Sequence, residues 1–156
     1  MAHTVQLAGQ EDAEIILALM RRMQIEDAWE ESFHETTVRK NLQEILANPT
    51  YGLVFLVREA LVREAQIPIG YLVLCFDFSL EYRGKGAWID ELFVESEYRG
   101  KGIGTELLEL AETASREHGA QVLHLEVNYG NRAIELYRRR GFVDHQRFLM
   151  TKSLQS

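Results

Sequence analysis

The sequence predicts a mixed α/β fold, helices layered on a mostly antiparallel sheet, and three observations carry that prediction. Strand-like and helix-like apolar periodicities alternate along the 156 residues. An apolar strand, Trp88 to Val94, passes through the glycine-rich stretch Arg99-Gly100-Lys101-Gly102-Ile103-Gly104 into an amphipathic helix. A further strand follows that helix, and a strand-helix-strand unit places its two strands side by side and parallel.

Taken in order, Thr4–Leu7 predicts a short first strand. A helix over about 11–23 follows, with Ile15, Ile16, Leu19 and Met23 on one face. A second helix, about 36–47, groups Val38, Leu42, Ile45 and Leu46 and stops at Asn48-Pro49. Tyr51–Arg58, Ile67–Phe78 and Ala87–Val94 read as three antiparallel strands. The helix from about Thr105 carries Leu107, Leu108, Ala111 and Ala114 as its apolar stripe and ends at Gly119. Gln121–Val127 is a fifth strand, about 131–140 a short helix ending at Gly141, and Phe142–His145 and Arg147–Leu154 a sixth and seventh strand.

The glycine-rich stretch has an internal control, because Glu-Tyr-Arg-Gly-Lys-Gly occurs at 81–86 and again at 97–102. The first copy runs into Ala87-Trp88-Ile89, which is apolar and strand-like, so it predicts a hairpin turn whose glycines supply positive φ. Only the second copy leads into a helix. There the unpaired N–H groups of the first turn, the positive end of the helix dipole and the missing Cβ atoms make a phosphate site. The Walker P-loop is excluded because Lys85 and Lys101 are each followed by glycine. A dinucleotide fingerprint is excluded because Leu107 stands where its third small residue belongs.

Length and a 46% hydrophobic content predict one domain, residues 1–156. A net charge of −7 argues against nucleic acid, whose binding depends on neutralising phosphates with Lys and Arg. No apolar run reaches membrane-spanning length and the first residues lack a leader's basic and apolar regions, so the expectation is a soluble cytoplasmic protein with no membrane partner. Cys75 is the single cysteine, in an apolar strand pattern, and reads as a buried structural thiol. The five histidines have no metal-ligand spacing, so no metal is expected.

Arg99, Gly102 and Gly104 resemble the Arg/Gln-x-x-Gly-x-Gly/Ala pattern of the GNAT superfamily of N-acetyltransferases. Upstream, Ile89-Asp90-Glu91-Leu92-Phe93-Val94 is similar to that family's fourth strand. Downstream, Asn128, Asn131, Ala133, Tyr137, Gly141 and Phe142 resemble its Asn…Asn-x-Ala…Tyr-x-x-x-Gly-Phe signature. The likeness covers about residues 87–145. It implies a three-layer α/β/α sandwich around a mixed, mostly antiparallel sheet of about seven strands with a parallel pair of fourth and fifth strands.

The resemblance also implies acetyl-CoA as acyl-donor cosubstrate and direct attack of a primary amine on its thioester in a ternary complex. Its pyrophosphate would lie on Arg99, Gly100, Lys101, Gly102, Ile103, Gly104 and Thr105, and its pantetheine arm along the main chain of Leu92, Phe93 and Val94. An N–H of Leu92 or Phe93 would meet the acetyl oxygen, and Asn131 would contact the cosubstrate. Tyr137 would be the general acid, since a phenol with a pKa near ~10 stays protonated at neutral pH and can serve a departing thiolate. Asp90 and Glu91 are equal candidates for the base, with loss of the amine's proton to solvent as the alternative to both. Neighbours on a regular strand point to opposite faces, so only one can meet the acceptor unless a bulge intervenes.

By the same likeness the acceptor pocket is built from the first two helices and their connection. Here the connection holds Glu26, Asp27, Trp29, Glu30, Glu31, Phe33 and Glu35 and no Lys or Arg. Glu30 and Glu31 with Trp29 and Phe33 would suit a cationic small-molecule amine by charge and cation–π attraction. The stretch 89–104 with Tyr137 resembles the diamine and polyamine branch, although Asp90-Glu91 stands where that branch has Glu-Asp. A protein N-terminus or lysine is the alternative acceptor. A non-catalytic acyl-CoA sensor is the alternative function, and a homodimer through the last strands stays open.

Overall fold

The computed structural model describes residues 2–27, 33–60 and 66–154, and the chain divides into two compact units after Glu126. The first unit is built on one sheet in the order β1-β2-β3-β4-β5, with β1 His3–Leu7, β2 Gly52–Glu59, β3 Ile67–Ser79, β4 Gly84–Val94 and β5 Val122–Leu125. β1 to β4 pair antiparallel and β4 pairs with β5 in parallel, as expected for strands joined through a helix. The central strands are apolar over runs such as Leu53–Val57 and Tyr71–Leu74 because both faces are covered.

α1, Ala13–Asp27, and α2, Glu35–Ala47, cover one face. Ile16, Leu17, Leu19, Met20 and Leu42 pack there against Val54, Leu56, Tyr71, Val73 and Phe93. α2 stops where Asn48-Pro49 predicts, and Asn48 Oδ1 accepts from the Thr50 N–H at 3.2 Å. α3, Ile103–Glu117, lies on β4 and β5 with Leu107, Leu108 and Ala111 fully buried. Its last turn meets the opposite face of the sheet, where the His118 ring stacks on Phe76 with centroids 4.9 Å apart. Among the described residues no helix is long and apolar enough to cross a membrane.

The β3–β4 ladder has one irregularity that matters later. Leu74 pairs with Ile89 and Val73 with Glu91, so Asp90 is an extra residue without an opposite number. Val73 and Leu74 point to opposite faces, and so therefore do Ile89 and Glu91. The pleat changes phase at Asp90. Glu91 joins Tyr71, Val73 and Phe93 on the α1 face, where a regular strand would have left it with Ile89 on the α3 face.

The second unit holds one short helix, α4 Ile134–Arg139, capped at its end by Gly141 with φ 88°. The sheet has five strands among the described residues, not the seven expected, because 142–154 form no ladder. The chain turns between the two expected strands: Gln146 has φ 51° and its N–H donates to Asp144 Oδ1 at 2.7 Å. An extended run without a hydrogen-bonded neighbour is not a strand, and Val143, Phe148, Leu149, Met150 and Leu154 are exposed.

Candidate functional site

β5 accompanies β4 only from Gly86 to Ile89, where Leu125 ends the ladder. β4 continues to Val94. Over Asp90–Val94 its β5-side edge has no strand partner among the described residues, while its other edge stays paired to β3 through Val94↔Gly70. Leu92, Phe93 and Val94 thus present main chain along a sheet edge that an extended group can join.

That edge leads into the glycine loop. A 3₁₀ turn, Ser96–Tyr98, brings the chain to Gly100 with φ 73° and Gly102 with φ 89°, and α3 begins at Ile103, two residues before the sequence pattern suggests. Left-handed backbone at both positions favours glycine. A Cβ built on either would meet no atom within 4 Å, so the space above them is open. Ile103, buried in the core, anchors the helix start, and Gly104 and Thr105 occupy its first turn. The N–H groups of a fifteen-residue helix, an uncrowded approach and an extended edge upstream fit a pyrophosphate followed by a linear arm.

The loop's side chains turn elsewhere. Arg99 donates from Nε to the Val94 carbonyl at 2.7 Å and from its two terminal nitrogens to the Glu26 carboxylate, the Nη2–Oε2 separation being 2.7 Å. This pair holds Glu26 below the usual carboxylate range. One turn earlier Arg22 Nη1 bonds Glu95 Oε1 at 2.5 Å, so two ion pairs tie the end of α1 to the segment after β4. The Lys101 ammonium sits 4.9 Å from the centre of the Tyr98 ring, whose hydroxyl donates to Glu59 at 2.6 Å.

Glu91 is the chemically distinctive group of this region. Burial pushes its carboxyl up to about 7, opposed by a hydrogen bond from Tyr71 and reinforced by the Asp90 charge. Asp90 is more exposed and is raised as well, by desolvation. Cys75 lies within reach of both charges, yet burial comes first in pushing its thiol up to about 11, which leaves it protonated and unreactive at neutral pH.

The second unit carries the two remaining expected residues. Asn131 Oδ1 accepts from the Ala133 N–H at 2.9 Å and its carbonyl from Ile134 at 3.2 Å, organising the turn into α4. The Tyr137 ring packs edge-on to Phe142 with centroids 5.9 Å apart, and burial raises its phenol above the usual tyrosine value. Of the acceptor residues, Phe33 packs against the α1–α2 core. Trp29, Glu30 and Glu31 lie outside the described residues.

Three participants escape the sequence pattern. Tyr71 stands in the apolar run Gly70–Leu74 and reads as core, which it is, except for its hydroxyl. Glu26 reads as one more acidic residue of the connection. Asp77 carries no signal of its partners in the sequence, yet it accepts from the Trp88 indole N–H at 3.2 Å, and a Cβ on Gly86 would collide with its Oδ1. That contact is the reason for glycine at 86, which sits inside β4 and does not adopt the positive φ expected of a turn; Gly84, at φ 144°, does.

Comparison with known proteins gives the family and the fold. The thialysine N-epsilon-acetyltransferase of Bos taurus is 30% identical over 77 residues, 49% of this chain and 45% of that protein. N-alpha-acetyltransferase 30 of Saccharomyces cerevisiae is 40% identical over 83 residues, 52% of this chain and 46% of that protein. The chain thus spans about half the length of the curated relatives it matches. A predicted acetyltransferase from Clostridium acetobutylicum, crystallised with acetyl-CoA, superposes with a TM-score of 0.81 at 18% identity, covering 97% of this chain and 96% of that one. The acetyltransferase (GNAT) family model matches residues 19–142, from the middle of α1 through the glycine loop to Phe142, and the chain belongs to that family.

Proposed function

We propose that the chain is a single N-acetyltransferase domain that moves the acetyl group of acetyl-CoA to a primary amine by direct attack. The observation that carries the reading is one continuous feature. The open β4 edge at Leu92–Val94 runs into a positive-φ glycine loop at the N-terminus of α3, with a half-buried carboxyl that titrates near neutrality on the same strand. Acetyl-CoA supplies the activated thioester. The loop amides hold its pyrophosphate, the main chain of β4 holds its arm, and an N–H of Leu92 or Phe93 stabilises the oxyanion that develops as the amine adds.

Glu91 is the base. A carboxyl whose pKa lies near 7 can take a proton from an ammonium and be ionised again for the next turnover, which a fully exposed glutamate near its ordinary value does less well. The phase change at Asp90, which turns Glu91 into the face covered by α1, supports the reading of Glu91 over Asp90. Tyr137 is the acid that protonates the departing thiolate. Cys75, held protonated, supports transfer without a covalent acyl-enzyme.

The acceptor in this reading is a cationic small molecule with a primary amine. The acetyl acceptor in the name of the bovine relative, thialysine, belongs to that class, whereas the yeast relative's name points to α-amino groups. Thiol release from acetyl-CoA, measured against thialysine, lysine, polyamines, aminoglycosides and peptides, tests the proposal. Turnover with a cationic amine is expected, and coenzyme binding without turnover on the panel would count against it. Glu91→Gln should lower kcat/KM by about 10²-fold or more and abolish the rise of rate with pH. Tyr137→Phe should lower kcat by about 10²-fold at nearly unchanged coenzyme affinity.

A further inference from the structure

The base needs more than burial: its two oxygens must be told apart, and its ionised form must be tolerated where water is scarce. Tyr71 supplies the contact that can do this. It is fully buried in β3, pairs with Phe93 across the ladder, and places its hydroxyl 2.8 Å from Glu91 Oε2. The same hydroxyl lies 3.4 Å from the thioether of Met23, which reaches it from α1. A phenol has one proton to donate, and a carboxylate and a thioether here compete for it. The Asp90 carboxylate on its own strand also acts on Glu91, and both charges in turn raise the Cys75 thiol on β3.

We infer that Tyr71 is the positioning residue for Glu91: its hydroxyl proton, contested by Met23 Sδ, holds Oε2 and leaves Oε1 to receive the proton of the acceptor amine. The inference rests on the reading of Glu91 as the base. In the step, an N–H bond of the ammonium breaks and an O–H bond forms on Oε1. The freed nitrogen lone pair attacks the thioester carbon as its π pair moves to the oxygen, and that pair returns as the C–S bond breaks. The thiolate takes its proton from Tyr137, while the second N–H proton of the new amide nitrogen is released to restore the phenol. Tyr71 itself neither gains nor loses a proton. Because its bond is to the charged form of the carboxyl, it favours that form. Met23 draws on the same proton and weakens the bond.

Two substitutions should therefore shift Glu91 in opposite directions. Carbon-13 titration of the glutamate carboxyls in the free protein reads this directly, with the Glu91 signal assigned by its loss in Glu91→Gln. Tyr71→Phe keeps the ring and removes the hydroxyl, and should move the midpoint up by roughly one pH unit. Met23→Leu keeps the bulk and removes the competing sulfur, and should move it down by roughly a few tenths of a pH unit. An unmoved midpoint in either variant, or movement of both in one direction, overturns the inference. If Tyr71→Phe does not fold, Met23→Leu alone still decides it. The underlying reading fails separately: a Glu91→Gln enzyme that keeps its rise of rate with pH would remove Glu91 as base and leave the titration result standing.

Discussion

The six residues Glu-Tyr-Arg-Gly-Lys-Gly occur twice and fold in two ways. At 81–86 they close the β3–β4 hairpin: Arg83 and Gly84 take φ of 64° and 144°, and Lys85 and Gly86 are already strand. At 97–102 they leave a 3₁₀ turn for a helix, with Gly100 and Gly102 at positive φ and Arg99 extended. The left-handed position therefore shifts from the arginine of one copy to the second glycine of the other. Side-chain partners diverge too. Tyr82 meets the edge of His124 while Tyr98 donates to Glu59, and Lys85 covers Phe76 while Lys101 covers Tyr98. The difference teaches that these glycines permit a conformation and the following residues choose it. Ala87-Trp88-Ile89 extends, whereas Ile103-Gly104-Thr105 turns into α3.

The comparison breaks most visibly at the coenzyme. Gly104→Val should raise the acetyl-CoA dissociation constant on the order of 10²-fold by crowding the helix start, whereas Gly86→Ala should leave it unchanged. Calorimetric titration of both variants checks this, and equal losses would mean that the helix start after the second copy is not where the coenzyme's pyrophosphate lies.

β4 joins the copies, and its buried carboxyl makes the next largest effect. Between the ordinary glutamate value of 4.5 and the native value of about 7, the folded protein keeps a proton on Glu91 that the unfolded chain releases. Stability therefore falls as pH rises through that window. Glu91→Gln escapes the loss, and urea unfolding should show it more stable than wild type at pH 8 by up to about 3 kcal/mol, the gain fading toward pH 4.

Backbone effects are smaller. Gly102→Ala forces a Cβ into left-handed geometry and should cost about 1–2 kcal/mol, against about 1 kcal/mol for Gly86→Ala, which displaces the Asp77–Trp88 bond. Arg83→Gly should stabilise by a few tenths to about 1 kcal/mol, since only this copy holds its arginine at positive φ. Thermal melts of the three variants rank them, and a destabilising Arg83→Gly would contradict the assignment of strain to the hairpin.

Much of the first unit was legible because its signals are local or periodic. The apolar runs at 52–59 and 67–79, the stripe of α3, and the stop at Asn48-Pro49 follow from residue type and spacing. The glycine loop was legible because its glycines precede an amphipathic helix. What escaped is set by pairing across the sheet. Nothing in Ile89-Asp90-Glu91 announces that Asp90 will be skipped in the ladder, and that single offset decides which carboxyl enters the core face. Asp77, across the hairpin from Gly86, explains that glycine only once the hairpin is closed. The expected strands over 142–154 had apolar residues enough for a strand but found no neighbour, and apolar content does not specify a pairing partner.

The two ion pairs between α1 and the segment after β4 set a boundary for protein engineers. Arg22 and Glu26 stand four residues apart on one helix face, as Glu95 and Arg99 stand four apart opposite them. The end of α1 is thereby fastened to the glycine loop at Glu26, where the acidic connection begins. A chimera that exchanges this connection should be spliced after Glu26, since a junction placed before Arg22 would exchange the fastening along with it.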